Sequence, residues 1–285
     1  MSQWIKNNWG HNHDLLFVFA NTGEENEETL IFADKCDKYF GLDLVWVEAD
    51  VQFNKRKGSK AKVVNFDSAS RNGEPFEAVI QKYGIPNNSY PHCTRELKEN
   101  PIKDYARQIG WKTKDYKTAI GIRIDEIDRM NDKAEKLNLI YPLITDVPMT
   151  KPDINAFWNV MPFRLNLKGY EGNCKVCWKK SMRKLLTIAY ESPEKFYRFW
   201  YLEKTYENFT PPSRLKNADP PYRFFRGNLT VHDIFNLLKE GDFTFAEDDS
   251  IEYADYEKLT EILNDHGIDL DSAGGCSESC EVFTD

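Results

Sequence analysis

The stretch from Asp14 to Ala20, reading D-L-L-F-V-F-A, limits the fold more than any other. It is too short for a core helix and apolar on both faces, so it reads as a strand inside a sheet covered on both sides. A polar turn follows, Asn21-Thr22-Gly23-Glu24-Glu25. Residues Glu27–Phe40 then repeat with helical period, placing Leu30, Phe32, Ala33, Cys36 and Phe40 inward, and Gly41 closes the helix. Leu42–Val47 is a second apolar run. Strand, helix and strand with short joints make a right-handed crossover and a parallel pair. The fold class implied is α/β, a mostly parallel sheet flanked by helices. Ligand contacts are expected at the carboxyl ends of its strands.

Further along, helices are expected at residues 2–9, with Trp4, Ile5 and Trp9 inward, at Pro75–Tyr83 and from Thr94 to Ile109. Gln52–Asn72 opens with Lys55, Arg56, Lys57, Lys60 and Lys62 and has no clear period, so it reads as a mobile loop with an extended piece at Lys62–Phe66. Tyr116–Ile122 and Asn138–Pro142 read as strands. Thr150-Lys151-Pro152-Asp153 starts a helix with Ile154, Phe157, Trp158 and Val160 inward. Ser192-Pro193 starts another over Glu194–Glu207, whose aromatic stripe reads as core packing. Thr230 caps His232–Lys239, and Glu252–Asn264 reads as an acidic amphipathic helix. A soft boundary near 188 divides an α/β body, 1–187, from a helical C-terminal part, 188–285.

At 285 residues the chain can bury a full core. No apolar run approaches membrane-spanning length, and the polar N-terminus is unlike a secretory signal. The expected compartment is the reducing cytoplasm, with no membrane partner. Six cysteines there point to metal or redox chemistry before disulfides. The net charge of −8 is uneven: residues 241–285 hold 14 acidic side chains and one Lys, or −13, which leaves +5 for the remainder. A mildly basic body suits a phosphate-bearing ligand, whereas the acidic end repels nucleic acid.

The chemistry-bearing stretch is Gly172–Lys184, G-N-C-K-V-C-W-K-K-S-M-R-K. Cys174 and Cys177 are spaced so that both sulfurs can face one point, which suits a metal ion or an iron–sulfur cluster. Lys179, Lys180, Arg183 and Lys184 would stabilise thiolates and hold an anion. Cys93, Cys276 and Cys280 are candidate further ligands, while Cys36 lies in an apolar helical pattern and reads as core. The pairs Cys174/Cys177 and Cys276/Cys280 also fit a tetrahedral zinc site. For each cation taken alone, the plainer alternative is a solvated surface charge.

Several of these stretches together resemble the phosphoadenosine-phosphosulfate (PAPS) reductase family of the PP-loop adenine-nucleotide alpha-hydrolase superfamily. They are Val18–Glu24, similar to a strand ending in a D-T-G turn; Cys93-Thr94-Arg95-Glu96-Leu97-Lys98, similar to C-T-x-x-x-K; and Gly121-Ile122-Arg123-Ile124-Asp125-Glu126, similar to G-x-R-x-x-E. Tyr141-Pro142-Leu143-Ile144, Lys151-x-Asp153-Ile154 and the Cys-x-x-Cys stretch extend the likeness over roughly residues 14–185, closest to phage-type stand-alone members. The resemblance implies an adenine nucleotide, PAPS or ATP, across the strand ends. Asn21 and Thr22 would lie beside it, and Arg95, Lys98, Arg123, Lys179 and Lys180 would face its anionic groups. Cys93, Cys174 and Cys177 would hold an iron–sulfur cluster of the 4Fe–4S type, the fourth ligand being His92, Cys276 or Cys280. A nucleophilic cysteine on the C-terminal tail, Cys276 or Cys280, is a further implied role, as is a thiol reductant protein as partner.

The family's first strand and its S-G-G-x-D-S loop do not occur in this sequence, and residues 2–9 resemble the helix after that loop. The expectation is a coding start upstream of Met1. The functional expectation is reductive or transfer sulfur chemistry on an adenine nucleotide. Its rivals are an ATP-dependent sulfur-inserting enzyme acting on nucleic acid or a small molecule, and a non-catalytic, metal-stabilised binding module.

Overall fold

A computed structural model describes residues 1–254 of the chain. After α1 (Ser2–Trp9), the carboxyl half of the apolar run becomes β1 (Val18–Asn21), followed by α2 (Glu27–Phe40) and β2 (Val45–Asp50). β1 and β2 pair in parallel, Val18 opposite Val45 and Asn21 opposite Glu48. β3 (Lys60–Val64) folds back antiparallel on β2, from Trp46 opposite Val64 to Asp50 opposite Lys60. A second, separate parallel pair joins β4 (Thr118–Ala119) to β5 (Leu139–Ile140). The fold is therefore mixed α/β, with two small sheets that hold one parallel pair each.

Between the two sheets lie α3 (Glu74–Tyr83) and α4 (Asn100–Gln108). A π-helical turn, Thr94–Glu99, with Cys93 at its N-cap, runs directly into α4. Pro101 has no N–H to give the carbonyl of Leu97, and a wider turn just before it relieves that mismatch. α5 (Pro142–Thr145) precedes α6 (Lys151–Val160). In α6 the Thr150 hydroxyl accepts from Asp153 N while the Asp153 carboxylate accepts from Thr150 N at 2.7 Å, a reciprocal cap. α7 (Met182–Glu191), α8 (Tyr197–Tyr206) and α9 (Val231–Glu240) complete the described elements, and Thr230 caps α9 in the same manner.

The largest core cluster joins Phe76, Ile80, Leu97, Val176 and Trp178 to Phe196, Phe199, Leu202, Phe224 and Ile234. It crosses the boundary expected near 188, so both parts share one apolar interior. A second cluster holds α1 and α2 against α6 through Trp4, Phe32, Cys36, Phe40, Phe157 and Trp158. Burying each such side chain contributes about 2–3 kcal/mol.

Some expectations need correcting. The strands expected at Tyr116–Ile122 and Asn138–Pro142 shrink to two residues each, although Ile120, Ile122, Leu139 and Tyr141 pack together. Val160 is exposed at the last position of α6. Phe196 and Phe199 are core, but Tyr197, Trp200 and Tyr201 are exposed, because one helix turns only one stripe inward. Of the expected acidic helix Glu252–Asn264 only residues 252–254 are described, and these are not helical; its remainder, with Cys276 and Cys280, lies outside the described residues. Among the described residues no helix is long and apolar enough to cross a membrane.

Candidate functional site

Six consecutive residues, Asn21–Asn26, five of them polar, are buried at the carboxyl end of β1. Burying polar groups in such a row is costly unless each finds partners. The amide of Asn21 donates to Glu48 Oε1 and to Ser70 O, both at 2.8 Å, and its Oδ1 accepts from Gly23 N at 3.2 Å. Gly23 takes a positive φ of 80° and lies so close to Gly73 that an added Cβ would stand 2.8 Å from the Gly73 Cα. No residue with a side chain fits that approach.

The turn is clamped from two directions. On one side the Cys-x-x-Cys loop lies along it: Glu25 and Cys174 form an antiparallel bridge, and Lys175 N donates to Glu24 O at 2.8 Å. On the other, Arg198 of α8 donates through Nε to Glu24 Oε1 at 2.8 Å and through Nη2 to Gly73 O and Glu77 Oε2, both at 3.0 Å. Burial pushes the Glu24 carboxyl upward, and the Arg198 guanidinium opposes that shift.

Within this clamp Thr22 donates its hydroxyl hydrogen to Glu25 Oε2 at 2.7 Å and accepts from Glu24 N at 3.2 Å. Its Oγ1 also meets the Cys174 sulfur at 3.6 Å. A hydroxyl has one hydrogen, and here it goes to the carboxylate, so in this contact Thr22 accepts the thiol hydrogen. The row Cys174 Sγ–H, Thr22 Oγ1–H and Glu25 Oε2 is a path by which a proton leaves the thiol. Among the described residues buried Glu25 Oε1 has no hydrogen-bond partner and is faced by Lys98 Nζ at 3.9 Å, from the π-helical turn that begins after Cys93.

The other sequence candidates fall in varied places. Lys180 is buried and donates to Tyr170 O and Gly172 O, so it braces the loop. Lys179 lies over the Trp178 ring at 5.6 Å. Arg183 reaches Phe245 O and Glu247. Buried Arg123 is paired with Asp125 and Glu126, and exposed Arg95 with Glu96. Cys93 is half-buried against the large core cluster. His92 is buried, with Nδ1 3.4 Å from Arg214 and its ring against Tyr83. Burial first, then the positive charges of Arg214 and Arg95, bring its pKa down to about 3, so it is neutral.

Sequence reasoning missed Glu25, Glu48 and Arg198. A polar row directly after an apolar strand was a visible signal for Glu25. Nothing local marks Arg198, which sits inside an aromatic stripe.

Among the described residues no three His, Cys, Asp or Glu side chains gather to hold an ion, and Cys276 and Cys280, expected as further ligands, lie outside those residues. What the arrangement offers is a thiol with a proton path and a cation beside it.

No family model matches the chain, and no solved structure matches it. It is 26% identical over 278 residues to the "Uncharacterized nin region protein ORF290" of Escherichia phage lambda, across 95% of this chain and 86% of that protein.

Proposed function

We propose that this chain performs thiol-based sulfur chemistry on an anionic adenine nucleotide, in the manner of the PAPS reductases it resembles. Its two short sheets would be parts of one mostly parallel, adenine-nucleotide alpha-hydrolase-like sheet, with the nucleotide across the carboxyl ends of the strands. The observation that carries the reading is the 3.6 Å contact of Cys174 with Thr22, at the strand-end turn and beside Lys98.

In the proposed reaction Cys174 loses its proton along Thr22 toward Glu25. The thiolate attacks the sulfur of the sulfonated nucleotide, the S–O bond breaks, and its electron pair leaves on the phosphate oxygen. The enzyme then carries a thiosulfonate, which Cys177 attacks to form the Cys174–Cys177 disulfide and expel sulfite. A dithiol reductant restores both thiols. Lys98 favours the anionic species by charge.

The test is sulfite release from PAPS with dithiothreitol present. Sulfite is expected from the natural chain and none from Cys174→Ser. With dithiothreitol left out, Cys177→Ser is expected to stop with a sulfonate mass on the protein; Thr22→Val should slow the reaction about a hundredfold by breaking the proton path. No sulfite from the natural chain, or unchanged release from Cys174→Ser, would overturn the reading. The expected tail nucleophiles Cys276 and Cys280 are rivals for the attacking role, and Cys174→Ser decides between them. The second reading, ATP-dependent sulfur insertion into nucleic acid, is favoured by the basic loop taken up next.

A further inference from the structure

Residues 51–66 contain five cations, Lys55, Arg56, Lys57, Lys60 and Lys62, and no acidic residue, in a chain whose net charge is −8. This stretch makes the loop between β2 and β3 and then β3 itself. Lys55, Arg56, Lys57, Lys60 and Lys62 are all exposed, and Phe53 projects beside them with 62% of its surface in solvent. Lys62 reaches Glu48 at 3.4 Å; among the described residues Lys55, Arg56, Lys57 and Lys60 are in no ion pair.

The segment is held in place, contrary to its expected mobility. Lys82 Nζ donates to the carbonyls of Gln52 and Lys57 and so closes the loop at its neck. Tyr83 OH reaches the Lys57 carbonyl at 3.4 Å. At the far end Ser59 donates from N and Oγ to buried Glu96, at 3.1 and 3.0 Å. Glu96 lies in the same π-helical turn as Lys98, so the loop is tied to the element that supplies the candidate site's cation. It also leaves the sheet just past Glu48, the residue paired with Asn21.

Glu48 meets Lys62 and Asp50 stands opposite Lys60 across the ladder, but no carboxylate among the described residues pairs with Lys55, Arg56 or Lys57. Glu96 is taken by Ser59, Arg95 and Asn100, and Asp104 by Ala61 N, Arg107 and Gln108. Lysines on β3 alone would be an ordinary guard against edge pairing. That purpose explains neither the three cations at the loop tip nor an exposed Phe among them.

We infer that this loop is a docking surface for single-stranded nucleic acid. Cations spaced along an ordered loop match successive phosphates, and an exposed aromatic ring offers a face on which a base stacks. Because the neck and far end are already bonded, little ordering is left for binding to accomplish. Lys62, which meets Glu48 beside Asn21, brings a bound strand toward the thiol turn. This goes beyond the sulfur chemistry proposed above, and binding is read without it.

The test uses the full chain and a fluorescein-labelled, mixed-sequence single-stranded RNA, with the DNA of the same sequence in parallel, followed by anisotropy across a salt series. The natural chain is expected to bind, with affinity falling as salt rises. A K55Q/R56Q/K57Q variant is expected to bind at least about tenfold more weakly, with a log–log salt slope shallower by about 2. Phe53→Ala is expected to bind about tenfold more weakly at an unchanged slope. Thermal melts and sulfite release from PAPS by the same variants show whether fold and thiol site persist, so failure of the docking surface and failure of the chemistry are separable. No binding by the natural chain at low salt, or an unchanged slope in the triple variant, overturns the inference. So does equal competition by poly-glutamate or anionic phosphatidylserine vesicles together with an inert Phe53→Ala.

Discussion

Replacing Arg198 with Met is expected to destabilise the fold by about 3 kcal/mol near pH 8, because it strands the Glu24 carboxylate in the interior. Glu24 is 2% exposed, and Arg198 also gathers Gly73 O and Glu77 onto the same guanidinium. Burial already raises the Glu24 pKa above its ordinary 4.5, with Arg198 opposing. A raised carboxyl pKa contributes stability that is whole below the unfolded value and lost as pH climbs through the folded one. Without Arg198 the folded pKa rises further, so the penalty is greatest at high pH and shrinks toward pH 5. Urea titrations of Arg198→Met near pH 5 and near pH 8 read this directly. The double variant with Glu24→Gln is expected to recover most of the loss at pH 8, since no charge is then left buried. An equal loss at both pH values, with no recovery in the double variant, would mean that Arg198 acts through packing alone. The same substitution slackens the seam between Glu24 and Lys175, so the Thr22–Cys174 contact should loosen with it.

The interactions that were legible in the sequence are the local ones. The helix Glu27–Phe40 carries its period, its inner residues and its closing Gly41 within 15 residues, and the structure reproduces the span residue for residue. Thr230 announced its cap, Thr150 was one of two cap candidates with Lys151, and Cys36 showed its burial, for the same reason. Long-range pairing left no such trace. Arg198 and Glu24 are 174 positions apart, and Ser59 reaches Glu96 across 37. The cations after the Cys-x-x-Cys pair were legible as charges, but not that the Lys180 ammonium also satisfies two loop carbonyls. The thiol turn is where these facts meet. A locally readable strand end is given its geometry by an arginine and a lysine whose positions only the tertiary fold brings together.

Wild-type stability is expected to fall by about 3 kcal/mol between pH 4.5 and about pH 7 through Glu203 alone, and Glu203→Gln should abolish that portion. Glu203 lies in α8 at 2% exposure. Its Oε2 accepts from Val231 N at 2.8 Å, at the first turn of α9, while Oε1 has no hydrogen-bond partner. Burial raises its pKa to about 7 against the opposing backbone hydrogen bonds from Val231 and Phe224 and the charge of Arg223. In the unfolded chain the group ionises near 4.5, so between the two values the native state holds a proton that the unfolded state has released. Stability therefore declines with rising pH across that interval and levels off above it. Gln keeps the acceptor for Val231 N and removes the charge, so the variant should be more stable than the natural chain near pH 8, by roughly 2 kcal/mol after one unmatched amide hydrogen is counted. Near pH 5 the two should be nearly equal. The contrast with Glu24 is physical: both carboxyls are buried, but only Glu24 has a guanidinium on its oxygens. Hence removing the charge helps at position 203, while at position 24 the gain becomes large only once Arg198 is gone. Parallel pH–stability curves for Glu203→Gln and the natural chain would show that Glu203 is ionised throughout, with the helix α9 N-terminus holding its charge despite burial.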